Sequence, residues 1–349
     1  MVKKLLLFLL VSRLAIYLVS GHILAFANQW DSPHYLYLAQ NWYTNKGDES
    51  NFIVFLPLYP FLIRIFNFIF LDLKITSLFV ANAFFILGGI IFYKLLRLDY
   101  SEKFSALVVI LLAIFPTSLF FSATYPESLY LFLFALTFYS FRKGHLFLAL
   151  VSASFLTLTR PFGIIIWPVL FVQSLEKKES ISKIFKIIAF GLIPIAIYLL
   201  INFAIYQDFF AFQKILENHW AKTFALPWQG IYQSWRIAIF GRTWDSYRIY
   251  VGLAEALAAT IAWLFIPLSL IKKFRIKKAY IIYYFLGVIL FSSTGFILSG
   301  PRYLLSLPPF FIILAKILKP KFIKIVWIVV SCLLLSYLSL NFSKGRWSF

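Results

Sequence analysis

Apolar residues occupy this chain in long runs separated by short polar stretches, and the runs recur from one end to the other. About 20 apolar residues in a helix cross the hydrocarbon of a bilayer. On that measure the pattern predicts spanning helices at about 5–26, 75–96, 104–121, 126–141, 146–160, 161–175, 187–205, 249–271, 279–298, 303–318 and 324–341. The expected fold class is an all-α polytopic membrane protein, a bundle of about 11 transmembrane helices, several short enough to tilt or span incompletely. No polar block is large enough for a separate soluble domain. Residues 1–349 therefore read as one membrane domain, with a first external loop at 27–74 and a long external loop at 206–248.

Residues 52–71 are ambiguous, because they are apolar enough to span yet contain Pro57, Pro60 and Arg64. If they crossed, every later loop would change sides, so the charge of the loops decides. Without that crossing, Lys3 and Lys4 share a face with the basic clusters near 94–103, 142–143, 177–186, 272–278 and 316–324, in all 20 of the 33 basic residues. Only Asp99, Glu102, Glu176 and Glu179 accompany them. Such an excess marks the cytoplasmic side. Residues 52–71 are accordingly read as a re-entrant or interfacial helix. The N-terminus is then cytoplasmic, and Asp31, Glu127, Arg160 and Arg302 share the non-cytoplasmic face.

Composition agrees with a membrane protein: 62% hydrophobic and 13% charged residues are too few charges for a soluble globule. The formal charge of +20 would otherwise suggest nucleic acid. Here the basic residues lie in clusters between apolar runs, where they orient helices, so no nucleic-acid partner is expected. Lys3-Lys4, an apolar stretch and Ala25-Phe26-Ala27 together resemble a cleavable signal peptide, but Arg13 interrupts the apolar core and the stretch is long enough to span, so a retained helix is expected. Cys332 is the only cysteine, which excludes an intramolecular disulfide and a cysteine-based metal site. P-loop, HExxH and GxSxG patterns are absent.

The densest chemical signal is Trp30-Asp31-Ser32-Pro33-His34-Tyr35, placed where the first apolar run ends. A carboxylate there can take a proton from a hydroxyl if the site partly excludes water. The plainer alternative is a solvated turn or a helix N-cap, since Pro33 suits a first helical turn.

Residues 30–39, Trp30-Asp31-x-x-His34-Tyr35-x-x-x-Ala39, resemble the first-loop motif of the GPI mannosyltransferase 2 (PIG-V type) family and its prokaryotic relatives. Residues 55–64 (FLPLYPFLIR) and 115–129 (FPTSLFFSATYPESL) resemble two further segments of that family in the same order. Leu158-Thr159-Arg160-Pro161-x-Gly163 and Pro301-Arg302-Tyr303-Leu304 match two more. The likeness is close over the first half and thin over the second, and Pro126 stands where relatives often have Thr. The resemblance implies a GT-C-like glycosyltransferase that takes a sugar, expected to be mannose, from a polyprenyl (dolichyl-type) phosphate and uses Asp31 as base.

Inverting transfer of this kind needs one base on the attacking hydroxyl and cations for a phosphate that is already a good leaving group. Arg160 and Arg302 are the first candidates for that phosphate, because guanidinium stays charged and matches phosphate oxygens. Arg64 is a third. Snorkelling to the headgroups is the alternative for each. Glu127 is expected to pair with arginine or a sugar hydroxyl, and His34 to orient the base or reach the phosphate. Trp30, Tyr35 and Tyr59 offer rings for a sugar or a prenyl chain, or simply anchor the interface. No metal or other cofactor is expected. The expected partners are the lipid-linked donor, a lipid- or glycan-type acceptor and the membrane itself, either a plasma membrane or endoplasmic reticulum. A transporter or lipid flippase is the alternative function. Such proteins usually show internal pseudo-symmetry and ionisable groups near the midplane, whereas this chain keeps its acids near the ends of its apolar runs.

Overall fold

The structure is a computed structural model that describes residues 1–349. It is all-helical, and the only pairing of strand type is an isolated bridge between Phe224 and Thr294. Helices Leu73–Leu96, Ile181–Tyr206 and Lys321–Ser343, and the helical run Arg248–Ser269, are long and apolar enough to cross a membrane by themselves. The other expected spans fall on shorter apolar helices, among them Leu146–Thr157, Pro161–Glu176 and Lys278–Ser292.

Local chemistry explains where the helices stop. Val2–Ser20 ends at Gly21, whose φ of 71° is left-handed and favours glycine. The expected run 104–121 is instead helix Glu102–Ala113, a turn, and the short 3-10 segment Ser118–Phe121. Pro116 lies in that turn and has no N–H to continue the ladder. Arg13, from the first helix, donates to the carbonyls of Ala113 and Ser118 at this break. Likewise the expected 303–318 run is interrupted at Pro308, and helix Pro309–Ile317 begins afresh. Where helices do pack closely, small residues allow it: a Cβ on Gly88 would come within 2.9 Å of the Phe132 backbone nitrogen in helix Glu127–Lys143.

The bundle has two chemically distinct ends. At one, the Met1 amino group is 3.7 Å from Glu102, Arg142 and Lys277 pair with Asp99, and Lys278 pairs with Glu176. The N-terminus therefore shares this end with the basic loops that the sequence grouped with it. At the other, segment Asp48–Val54 and helix Leu58–Phe70 meet at a bend of 107°, so residues 52–71 do not form one straight span. The long loop contributes helices Ala211–Asn218 and Pro227–Phe240, with Trp228, Phe240 and Trp244 exposed. Its Thr223–Ala225 stretch is stitched to residues 293–295 by backbone hydrogen bonds of 3.4 Å and 3.2 Å. That stitching brings the loop over the residues described next.

Candidate active site

Asp31 precedes helix Ser32–Asn41 in the N-cap position, yet its side chain makes no capping bond. Its Oδ2 instead accepts from Arg302 Nη1 at 3.2 Å, across 271 residues of sequence. The backbone presents it this way because Trp30 adopts φ 56°, which a bulky residue rarely does, and because the Asp31 N–H donates to the Tyr125 hydroxyl at 3.0 Å. The Ser32 hydroxyl and the Thr124 N–H both donate to the Phe26 carbonyl, which pins the loop to the segment before Glu127. Asp31 stays partly open, with 23% of its side chain exposed.

Around it lie three of the other charged residues singled out in the sequence. Glu127, 1% exposed, pairs with Arg160 Nη1 and lies 3.5 Å from Arg302 Nε. Arg302 therefore bridges both carboxylates and has Nη2 left over. Burial opposes the charge on Arg302, but Asp31 and Glu127 outweigh it and raise its pKa above the ordinary arginine value. Burial, reinforced by Glu127 and Asp31, also raises the Tyr35 phenol above its usual range. Tyr35 is buried against Phe55, Tyr59 and Tyr125. His34 packs on Phe52, Phe55 and Trp220, with no partner for Nδ1. Burial lowers its pKa, and Asp31 opposes that shift without reversing it. Trp30 is 43% exposed, donates to the Arg346 carbonyl and packs its ring on Trp347. Arg64 stands apart: it is exposed and has neither an ion pair nor a side-chain hydrogen bond.

Sequence reasoning missed two members of this neighbourhood. Lys222, in the long loop, has no carboxylate partner. Its Nζ is 5.8 Å from the centre of the Tyr303 ring, and the guanidinium carbons of Arg160 and Arg302 are each 5.9 Å from the same centre. Nothing in the sequence separates it from the other basic residues of that loop. Glu255 is fully buried and binds the backbone just ahead of Arg302. Its signal was available, since it lies inside the expected run 249–271, and it corrects the expectation that the acids all keep near the ends of the apolar runs.

A cavity of about 1120 Å³ begins beside this cluster. Pro301, Arg346 and Trp347 line one part of it, next in sequence to Arg302 or in contact with Trp30. Ala258, one turn from Glu255, lines it near Pro301, Ile317 and Trp327 line it further away, and most of its walls are hydrophobic. Trp327 and Asn341 both face it from helix Lys321–Ser343, a length of about 20 Å at 1.5 Å per residue.

Fold and site together define a polytopic helical membrane protein with a carboxylate and guanidinium centre at one end of the bundle. The chain belongs to the mannosyltransferase (PIG-V) family, a family of membrane glycosyltransferases, whose model matches residues 9–244. Among solved structures it is similar to the oligosaccharyltransferase of Archaeoglobus fulgidus, determined with a tethered acceptor peptide containing the NVT sequon. That likeness has 12% sequence identity and a TM-score of 0.48, and covers 98% of this chain. The chain spans about half, 55%, of the length of that structure. No curated protein matches the sequence.

Proposed function

We propose that this protein transfers a mannosyl residue from a polyprenyl (dolichyl-type) phosphate to an acceptor hydroxyl, with inversion, on the non-cytoplasmic face of the membrane. Asp31 is the base. It removes the hydroxyl proton as that oxygen attacks the anomeric carbon. The bond from the anomeric carbon to the phosphate oxygen breaks through an oxocarbenium-like transition state, and the lipid phosphate leaves. Arg302 orients the Asp31 carboxylate and offers Nη2 to the departing phosphate. Arg160 neutralises Glu127, and Lys222 supplies a cation not already matched by a carboxylate. The apolar cavity seats the prenyl tail, while the rings near Asp31 shield the reacting centre from water.

The observation that carries this reading is the Asp31 carboxylate held by Arg302, in a cluster with Glu127 and Arg160, with Pro301, the residue before Arg302, lining a long apolar cavity. The family membership supports it independently. The acceptor is a lipid- or glycan-type hydroxyl. No metal is needed in this scheme, because phosphate leaves readily and its charge is met by fixed cations.

The test is reconstitution in proteoliposomes with polyprenyl-phosphate mannose labelled in the sugar and an extract of lipid-linked acceptors. Label should appear covalently in an acceptor, and the rate should be unchanged by a chelator such as EDTA. Uptake of label without covalent product would favour a transporter, and loss of transfer on chelation would contradict the metal-free scheme.

A further inference from the structure

Glu255 is a buried carboxylate that the scheme above does not use. It lies within the apolar run Arg248–Ser269 and is fully buried, so its charge requires fixed partners. Those partners are two consecutive backbone N–H groups. Ser299 donates to Oε1 at 2.7 Å and Gly300 donates to Oε2 at 2.6 Å.

The turn that receives this carboxylate is shaped around it. Ser299 has φ 70°, a left-handed conformation that is strained for a residue with a Cβ. A Cβ on Gly300 would collide with Glu255 Oε2 and come within 3.1 Å of the Phe291 ring. Only glycine admits so close an approach. The flanking carbonyls are held as well: Lys222 Nζ lies 3.4 Å and 3.5 Å from those of Phe296 and Leu298, and the Thr117 hydroxyl donates to that of Pro301 at 3.0 Å. The next residue is Arg302, which meets Asp31 and Glu127. The helix that carries it, Gly300–Tyr303, is only four residues long and has little stiffness of its own.

We propose that Glu255 is a positioning residue: by clamping the Ser299-Gly300 turn it sets Arg302 against Asp31 and so fixes the orientation of the base. Its catalytic consequence rests on the reading of Asp31 given above. Its structural consequence, an energetic link from Glu255 through Arg302 to residue 31, stands without that reading.

Glu255→Gln is the informative variant, because the amide keeps one acceptor and turns an NH2 group toward the other backbone N–H. Full-length wild type, E255Q, R302A and the double variant would be compared in proteoliposomes with polyprenyl-phosphate mannose, and by hydrogen–deuterium exchange. E255Q should lower kcat by about 100-fold, as misplacement of reacting groups does, with the donor KM within about twofold of wild type. The double variant should be no slower than R302A, since the clamp acts through that arginine. Exchange in E255Q should rise both at 296–303 and at 29–35, the segment bearing Asp31. A merely structural role would give additive losses and loosening confined to 296–303, and either result would overturn the proposal. If wild type transferred no sugar, the functional reading would fall alone, and the exchange at 29–35 would still decide the link.

Discussion

At Asp31 the carboxylate turns toward Arg302, while the first-turn N–H groups of Ser32, His34 and Tyr35 donate to the backbone carbonyls of Gln29 and Asp31. A cap would contribute helix stability and nothing to chemistry. Lys222 gives a separate prediction at this scale. If it meets the donor phosphate, Lys222→Gln should raise the donor KM by about 10- to 100-fold, the worth of one charge-assisted hydrogen bond, while kcat falls much less. Initial rates over a range of donor concentrations would separate the two, and an unchanged KM would remove Lys222 from the site. Asp31, Glu127, Arg160 and Arg302 could be singled out from sequence because each falls at the end of an apolar run in a segment that resembles the PIG-V family; position alone leaves a solvated turn or snorkelling to the headgroups open. That Glu127 would meet an arginine could be expected; which arginine, and that Arg302 would also reach Asp31, could not, since each contact closes a long stretch of chain. Arg64 shows the limit of the same argument, for its residue type drew notice while its exposed position leaves it without a polar partner.

Among the elements, hydrophobic runs located the helices well and their ends poorly. The run through 104–121 is continuous in hydropathy, but Pro116 breaks it, and Arg13 supplies donors to carbonyls at the break. The expected span at 279–298 stops at Ser292 because the following residues pair with the long loop rather than with the helix. Neither Arg13 nor that pairing could be assigned from periodicity, which records which face is apolar and not which distant carbonyl lacks a donor. The cavity beside helix Glu255–Ser269 gives a prediction for an element. Ala258 is a small residue on its wall, and Ala258→Trp should obstruct a tail that enters from the Pro301 side. The variant should lose about tenfold in kcat/KM for a long-chain donor, and much less for a donor truncated to a few isoprene units. Equal losses for both lengths would place the tail elsewhere.

Over the whole molecule, charge divides the bundle in two. The N-terminus and the basic loops meet at one end through Glu102, Asp99 and Glu176, while Asp31, Glu127, Arg160 and Arg302 meet at the other. The grouping of those loops was legible in the sequence because orientation in a membrane is governed by where lysine and arginine cluster. Residues 52–71, which the charge of the loops assigned to a re-entrant or interfacial helix, lie in a pair of helices bent by 107°. On the function proposed above, such an arrangement separates a face that sets orientation from a face that does chemistry. The claim on which the rest depends is that Asp31 acts as the base on the second face. Its most direct test compares wild type and Asp31→Asn in one proteoliposome preparation, measuring labelled mannose transferred and labelled donor bound. Base catalysis is typically worth about 10²- to 10⁴-fold, so the variant should lose transfer by that factor while binding the donor as wild type does. Transfer at the wild-type rate by Asp31→Asn would contradict the account.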